Sequence, residues 1–572
     1  MNTSDRIAYA LAEKPADLLL TNAKLVNVLS GEIHPVEVAV AGGVVVGLGE
    51  PGDYEAKQVD DLGGAYLLPG FIEGHIHLES SMVRPEEFSR AVLPLGCTTV
   101  VYDPHEVANV LGMEGINYMH RVTQGLPVDF FAMLPSCVPS SPLETAGAIL
   151  SAADITPVLA EDWVLGLGEM MNFPGVLGRD AEVLARVDAG QAKRVDGHAP
   201  MLTGKRLNAY VAAGIRSDHE STGLEEAREK LRKGMHLMVR EGSTEKNLDD
   251  LMPLLKPESG RRCMFVSDDR NPLDLMNGLH LVDSVRRAMA AGVSPMLAVR
   301  MVTINPAEYF GLSDRGAVAP GLLADMVVVG DLQRMDVERV YKRGRCVASQ
   351  GEARDFEPGH PKTYLRGSIN VRWIEPEDFY LPANGSMARV IEVVPDQIIT
   401  RQAVDEVRVQ GGRALADPDR DMLKIAVIER HRGSGRTAMG FVRGFGMKRG
   451  AIASSIAHDA HNIVVVGVDD ADMFEAAVRI VKQNGGLVVV EGGEVKAELR
   501  CPIAGLMSDK PLAEVAESLS QLQAAAAELG CGLRDPFMTM SFLCLPVIPS
   551  LKITDMGLVD VDKFELVNLF VE

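Results

Sequence analysis

Between residues 67 and 315 the chain alternates short apolar runs with helical stretches, which is the pattern of a parallel α/β fold. Eight of the apolar runs are strand candidates, and eight strands in roughly 250 residues match a (β/α)8 barrel in count and length. The strands are expected to end near His75-Ile76-His77, Val101-Tyr102-Asp103, Ala132-Met133-Leu134, Gly168-Glu169, Gly197-His198, Asp218-His219, Val239-Arg240-Glu241 and Ser267-Asp268-Asp269.

The first of these runs ends in two histidines, His75 and His77, spaced i, i+2. On a strand, this spacing points both imidazoles to the same side. Neutral imidazole is the commonest protein ligand of Zn, Fe, Mn or Ni, so the pair would supply half of a metal site. Two surface histidines near a turn are the alternative, and the residues downstream must decide between them.

Polar side chains also follow the later strands, at the strand end where barrel enzymes place their active sites. Glu169 follows strand four, His198 strand five, His219 strand six and Asp268 strand eight. Polar residues that merely begin surface loops would explain one or two of these positions. They do not explain His, Glu, His, His and Asp on five different strands, so the sequence predicts a metal centre at the barrel mouth.

The segments on either side of the barrel have a different texture. Residues 1–66 and 316–365 consist of short apolar runs and turns, which are typical of a small β-domain. Because the barrel of residues 67–315 would be inserted between them, we expect the two flanks to form one composite β-sandwich domain.

A third region, residues 366–572, is expected to form an additional mixed α/β domain. Strands are predicted near residues 422–428 and 462–468, and a helix is predicted from 513 to 529, ended by Gly530. The polar run from Gly351 to Thr363 is the expected linker to this domain.

The charge balance excludes some classes of partner. The chain has 79 acidic and 57 basic residues, a formal charge of −22, whereas nucleic acid and anionic lipid both require a basic surface. We therefore expect a small-molecule substrate, with neither nucleic acid nor membrane as a partner, and the sequence has neither a long apolar run nor a signal-like N-terminus. The seven cysteines form no CxxC pair, which favours reduced thiols and a cytoplasmic location.

Six stretches resemble the bacterial adenine deaminase family of the amidohydrolase superfamily, and the resemblance runs over essentially the whole chain. They are Gly74-His75-Ile76-His77-Leu78-Glu79-Ser80-Ser81-Met82, Asp103-Pro104-His105-Glu106, Asp196-Gly197-His198-Ala199-Pro200, Ser217-Asp218-His219-Glu220-Ser221, Ser267-Asp268-Asp269-Arg270 and Ser454-Ser455-Ile456-Ala457-His458-Asp459-Ala460-His461-Asn462. The resemblance implies hydrolytic deamination of adenine to hypoxanthine and ammonia by a metal-bridged hydroxide, a reaction of purine salvage. It also implies two divalent metal ions, Mn or Fe first, with Zn as the alternative.

The superfamily pattern assigns a role to each strand-end residue. It implies that His75, His77 and Asp268 bind one metal, that His198 and His219 bind the other, and that Glu169 bridges them. In many members a carboxylated lysine takes the place of Glu169. The catalytic candidates are Asp268, Glu169 and His219, and we expect Asp268 to take the proton of the attacking water and pass it towards a ring nitrogen or departing ammonia.

Further polar groups at the strand ends exceed what two metals require. The candidates for substrate binding are Glu79, Asp103, His105, Glu106, Arg240 and Asp269. Carboxylates accept hydrogen bonds from amine groups and also suit Mn, whereas loop hydrogen bonding and capping are the alternative for each of them.

In the third region, His458 and His461 are spaced i, i+3. They would share one face of a helix and lean over the barrel mouth, with a purely structural role as the alternative.

Two other functions stay open at this level. A different amidohydrolase would open a cyclic amide or deaminate guanine or cytosine, because the same activated water attacks all of these. A non-catalytic binding protein on the same barrel is a second alternative, although buried charges without a metal would be costly. A homo-oligomer, dimer or tetramer, is expected on general grounds.

Overall fold

A computed structural model describes residues 1–357, 365, 367–395 and 397–571. Part of the expected linker, residues 358–363, lies outside the described residues. The chain begins with a helix, Thr3–Ala10, and no helix in the described ranges is long and apolar enough to cross a membrane.

The two flanks of the barrel segment pair with each other in one nine-stranded sheet. Strand Tyr66–Pro69 lies antiparallel to Met326–Val329 and parallel to part of the long strand Ala16–Asn27. The sheet therefore continues past residue 66 to Pro69. Its strands are Ala16–Asn27, Glu32–Ala41, Val44–Gly49, Ala56–Asp61, Tyr66–Pro69, Met326–Val329, Val337–Lys342, Arg345–Ser349 and Glu352–Ala353.

Alternate residues of these central strands face different cores. Leu67 and Val328 lie in the apolar cluster of the β-domain itself, whereas Leu68 and Val327 lie in a cluster shared with barrel residues. This follows from the period of two along a strand. One face of the sheet therefore packs against the barrel.

Eight parallel strands form a TIM-like barrel, and each ends within two residues of its predicted position. Five of the strands pair in one sheet and three in another. The two sheets meet where Asp268 bridges Ile76 and where the Arg216 N–H donates to the Val195 carbonyl. The barrel strands are Phe71–Ile76, Cys97–Tyr102, Asp129–Leu134, Val164–Met170, Arg194–Gly197, Ser217–Asp218, His236–Arg240 and Cys263–Val266.

Apolar side chains fill the barrel below its mouth. Ile72, Val101, Met133, Met238 and Met264, each from a different strand, are all buried in one cluster. The α-helices of this segment are Pro85–Val92, His105–Leu111, Met113–Thr123, Ala152–Leu159, Phe173–Gly178, Ala181–Gly190, Gly204–Ala212, Leu224–Arg232, Leu248–Leu251, Pro257–Gly260, Pro272–Met276, Leu281–Ala290, Pro295–Arg300 and Ile304–Phe310, and short 3-10 turns cover Leu78–Ser81, Leu93–Leu95 and Met252–Leu254.

The C-terminal region contains a second large sheet, as the sequence predicts. The predicted strands are present as Leu423–Ile428 and Ile463–Gly467, and the predicted helix as Leu512–Glu528, followed by Gly530 at φ +99°. The remaining strands of this region, in the large sheet and in two smaller ones, are Met387–Val393, Thr400–Glu406, Arg408–Gln410, Arg413–Leu415, Thr437–Arg443, Ala451–Ser454, Gly486–Glu491, Glu494–Arg500, Leu551–Thr554, Gly557–Asp560, Glu565–Val567 and Phe570–Val571. The other α-helices are Asp470–Lys482 and Pro536–Phe542, and short 3-10 helices cover Pro376–Phe379 and Pro418–Arg420.

The C-terminal domain packs on the barrel through direct hydrogen bonds. Asp555 accepts from the Thr145 N–H at 2.8 Å, Asn462 Nδ2 donates to the Thr145 carbonyl at 2.9 Å, and the Ser508 N–H donates to the Met82 carbonyl at 2.7 Å. These contacts place the C-terminal domain over the mouth of the barrel.

Candidate active site

The barrel mouth brings together all six predicted metal ligands. His75, His77, Glu169 and Asp268 form a first group, in which His77 Nε2 lies 3.1 Å from both Glu169 Oε1 and Asp268 Oδ1. His75 Nε2 lies 3.5 Å from Asp268 Oδ1 and 3.8 Å from Glu169 Oε1. Four ligand atoms from three strands therefore converge on one point.

The other oxygen of Glu169 faces a second group. Glu169 Oε2 lies 2.5 Å from His198 Nδ1 and 3.1 Å from His219 Nε2. The two oxygens of Glu169 therefore face two different sets of imidazoles, which is the arrangement expected of a carboxylate that lies between two cation sites.

These groups have the spacing and chemistry of cation sites. Ligand atoms about 2.1 Å from a tetrahedral metal are about 3.4 Å from each other, which is close to the separations in the first group. All six side chains are buried, and among the described residues His75 Nε2 has no hydrogen-bond partner. Such an orphaned nitrogen, aimed at two carboxylates, suits a cation.

The surrounding residues fix the orientation of the ligands. His77 Nδ1 donates to the Asp103 carbonyl at 3.0 Å, which leaves Nε2 free to face the first group. Asp103 Oδ2 accepts from the Glu169 N–H at 3.1 Å, and a Cβ at Gly168 would lie only 2.0 Å from that oxygen. A glycine is thus required before Glu169.

Charges in the site shift the pKa values of its members. Burial would raise the pKa of Glu169, but His219 and His198 hold it well below its ordinary value. Burial opposes ionisation of Asp268 as well, and His75, His77 and Arg240 lower its pKa well below the usual range. Burial would lower the pKa of His219, but Glu169 raises it to about 9. Both carboxyl groups are therefore ionised at neutral pH, and a cation would replace the proton on His219, because metal ligands must be deprotonated.

Asp268 occupies an unusual backbone position. Its φ is +58°, in the left-handed region that a non-glycine residue seldom adopts and that is concentrated at functional sites. Its N–H donates to the His75 carbonyl at 2.9 Å, and its own carbonyl accepts from the His77 N–H at 3.2 Å. Strand eight is thereby joined to the two histidines of strand one.

Sequence reasoning missed one member of the site, Glu220. Its Oε1 lies 3.6 Å from His219 Nε2 and 3.8 Å from His198 Nδ1, so it adds a second carboxylate to the second group. Arg240 Nη1 contacts this oxygen and also donates to Asp268 Oδ2 at 2.9 Å. The signal was present, since Glu220 directly follows His219 in a stretch that the sequence analysis singled out.

Four of the six residues predicted to bind substrate line the cavity above these groups, namely His105, Glu106, Arg240 and Asp269. Glu79 and Asp103 do not line it within the described part of the chain. Glu79 Oε1 instead accepts from the Val107 N–H at 3.0 Å, and it thereby supports the helix that carries His105.

The C-terminal domain forms the other wall of this cavity. Its lining residues are Ile398, His458, Asp459, Phe542, Leu545 and Ile548. His458 lines the cavity at the barrel mouth, but the predicted helical face is wrong. Both His458 and His461 lie in the loop between strands Ala451–Ser454 and Ile463–Gly467, and both contact Glu106 of the barrel.

Comparison with known proteins gives matches along the whole chain. Residues 66–347 match the model of the amidohydrolase family, and residues 397–565 match the model of the adenine deaminase C-terminal domain. An adenine deaminase of Desulfatibacillum aliphaticivorans is 50% identical over 566 residues, which cover 99% of each chain. An adenine deaminase of Oleidesulfovibrio alaskensis is 48% identical over 573 residues, which cover 100% of this chain and 99% of that one.

Proposed function

This chain belongs to the adenine deaminase family and is a hydrolase that acts on adenine, and we propose that the residues around Glu169 perform the reaction. The observation that carries this proposal is the position of Glu169, which lines the cavity and lies between two groups of ligand atoms. The reaction would replace the exocyclic amine at C6 of the purine by oxygen and release ammonia.

Glu169 lies between the proposed ligands of the two cations. His75, His77 and Asp268 would hold the first, and His198 and His219 the second, with Glu220 in reach of the second group. When bound, a pair of divalent cations supplies a water whose pKa falls from about 16 towards 7, which makes it a nucleophile at neutral pH. Carboxylate ligands suit Mn and imidazole ligands suit Fe, so the mixed set of two carboxylates and four imidazoles supports Mn or Fe(II) as the proposed metal.

Asp268 is the proposed proton carrier. Its Oδ1 faces the two histidines of strand one, while Oδ2 is held by Arg240. A carboxylate fixed in this way can accept a proton from the attacking water and deliver it to the ring or to the departing amine. Arg240 sets the orientation of Asp268 and of Glu220 together.

The residues that line the cavity have the chemistry expected for an uncharged heterocycle. They come from both domains and combine the apolar side chains Ile398, Phe542 and Leu545 with hydrogen-bonding groups. Apolar side chains cover the faces of a purine, and a few polar groups fix its edges.

Removal of Arg240 gives the first testable prediction. In Arg240→Ala, two buried carboxylates lose their shared cation, so we expect a loss of about 3–5 kcal/mol in the free energy of unfolding. Misplacement of Asp268 should lower kcat about 100-fold. Denaturant unfolding and steady-state kinetics measure the two effects. Arg228→Ala is the matched control, because Arg228 pairs with Glu225 at the surface and should contribute less than about 1 kcal/mol. A kcat near that of the wild type in Arg240→Ala would contradict the assigned role.

Metal loading gives the second prediction. We expect purified protein to bind two Mn per chain and, in that form, to release ammonia from adenine but not from guanine, cytosine or dihydroorotate. Chelation should abolish ammonia release, and Mn or Fe(II) should restore it. Metal analysis separates this proposal from its alternatives when it is paired with the ammonia assay for the three amines and with detection of ring opening for dihydroorotate, whose hydrolysis releases no ammonia. Two metals with activity on another of these compounds would indicate a different amidohydrolase, and no metal with no turnover would indicate a binding protein.

We further propose that the enzyme works in the cytoplasm as a homodimer or homotetramer. All seven cysteines are free, which supports a reducing compartment. Symmetric homo-oligomers are the common state of soluble enzymes. Light scattering of the purified protein would decide the oligomeric state.

A further inference from the structure

Two histidines of the C-terminal domain contact the same carboxylate of the barrel. His458 Nδ1 contacts Glu106 Oε1, and His461 Nε2 contacts Glu106 Oε2. All three side chains are at most 3% exposed. The two histidines differ in whether the second ring nitrogen has a hydrogen-bond partner.

His461 has no free nitrogen left. Its Nδ1 accepts from the Ala457 N–H at 3.1 Å, so its proton must lie on Nε2, which donates to Glu106. A cation between Glu106 and His461 would need the electron pair of that nitrogen. We therefore interpret His461 as a structural contact that joins the C-terminal domain to the barrel. Consistent with this, it does not line the cavity within the described ranges.

His458 is different because its second nitrogen is unused. Nε2 is buried, has no hydrogen-bond partner among the residues that the structure describes, and belongs to a side chain that lines the cavity. Asp269 Oδ2 lies 4.0 Å away, beyond hydrogen-bonding distance. The imidazole is held in place by Phe542, which stacks on it with ring centroids 4.6 Å apart.

Acidic groups near both nitrogens favour a proton on each. Glu106 contacts Nδ1, and Asp269 is the nearest carboxylate to Nε2. Burial would lower the pKa of His458, but Glu106 and then Asp269 raise it to about 10. A proton on both nitrogens makes the side chain an imidazolium whose Nε2–H faces the cavity, with no acceptor within hydrogen-bonding distance among the described residues.

The distance from the metal centre indicates which part of the substrate His458 meets. His105 lies between them, with Nδ1 3.5 Å from Glu169 Oε1 and Nε2 3.4 Å from Glu106 Oε1. His458 is on the far side of Glu106. A purine whose C6 faces Glu169 would therefore present a more remote part of its ring to His458.

Resting on the proposed function, we propose that His458 donates a hydrogen bond from Nε2 to a ring nitrogen of adenine that carries no proton and is not bonded to C6, namely N3 or the unprotonated one of N7 and N9. The C-terminal domain would then supply part of the substrate recognition, while Glu106 acts as the positioning residue that holds His458. The barrel alone does not supply this donor, because His458 belongs to the C-terminal domain.

The test compares adenine with analogues in which one ring nitrogen is replaced by carbon. KM and kcat for adenine and inhibition constants for 3-, 7- and 9-deazaadenine are measured with the wild type, His458→Ala, His458→Gln and, as matched control, His461→Ala. A hydrogen bond from a charged donor should be worth about 10- to 100-fold in affinity. We expect the wild type to bind one analogue more weakly than adenine by that factor, and His458→Ala to lose this discrimination for that analogue alone. His458→Gln, which keeps a donor, should restore part of it.

A purely structural role predicts a different pattern. His461→Ala also breaks a contact with Glu106, so it should weaken the binding of adenine and of all three analogues by the same factor. The proposal is overturned if His458→Ala behaves in this way, or if the wild type binds all three analogues as tightly as adenine. The second outcome needs no variant, so it decides the matter even if His458→Ala is unstable. A wild type that does not deaminate adenine would instead overturn the proposed function.

Discussion

Replacement of Glu169 by glutamine is expected to lower kcat for adenine by at least 1,000-fold and to reduce bound metal from two ions per chain to one or fewer. Glutamine keeps the shape of the side chain but offers only one oxygen and no charge. The single oxygen could then face only one of the two groups of ligand atoms, and the other group would lose its ligand from residue 169. Removing a ligand shared by both cations affects metal affinity and reactivity together, because each depends on the charge and geometry of the ligand set.

Metal analysis of the purified variant and the ammonia-release assay at saturating Mn measure these effects. Glu144→Gln is the matched control. Glu144 is also buried. Its burial, together with the nearby charge of Asp459, raises its pKa to about 8, so an uncharged amide resembles its state at neutral pH. Two bound metals with near-normal turnover in Glu169→Gln would remove the bridge from the mechanism.

The strand ends of the barrel could be predicted from the sequence because each apolar run is followed at once by polar residues. Val164–Met170 and Cys263–Val266, for example, end next to the predicted ligands Glu169 and Asp268. Parallel strands in a barrel bring their carboxyl ends to one rim, so residues far apart in sequence must meet there. For that reason the six candidate ligands could be named from the sequence, and the structure places them together at the barrel mouth.

Glu220 could not be predicted in the same way. Neighbouring residues on a strand point to opposite sides, so a residue beside His219 should face away from the site. The strand already ends at Asp218, however, and both His219 and Glu220 turn inward after it. Alternation is a reliable guide only within a strand, and functional residues often lie just past its end.

The roles of His458 and His461 also lay beyond sequence reasoning. Their spacing fits one face of a helix, yet they lie in a loop whose side chains contact Glu106, about 350 positions earlier in the chain. Local periodicity carries no information about a contact between two domains. The apolar cluster that joins residues such as Val107 and Ile456 brings these distant segments together.

The second large effect is expected at Asp268. In Asp268→Asn, the amide can keep an oxygen towards His75 and His77, but it then turns an N–H towards Arg240, where the carboxylate accepted a hydrogen bond at 2.9 Å. The variant also lacks the negative charge and the basicity that proton transfer requires. Because general acid–base catalysis contributes about 100- to 10,000-fold, we expect kcat to fall within that range.

Glu169, His75 and His77 remain in the first group of Asp268→Asn, so bound metal at saturating Mn should stay near two ions per chain and KM for adenine should change little. The most direct comparison is the same substitution at the next residue, Asp269→Asn. In Asp269→Asn the amide keeps an oxygen that can accept the hydrogen bond from Ser80 Oγ, so the substitution should be better tolerated there, and we expect kcat within about tenfold of the wild type. Steady-state kinetics with metal analysis of both variants measure the difference. Turnover by Asp268→Asn equal to that of Asp269→Asn would assign the proton transfer to another group.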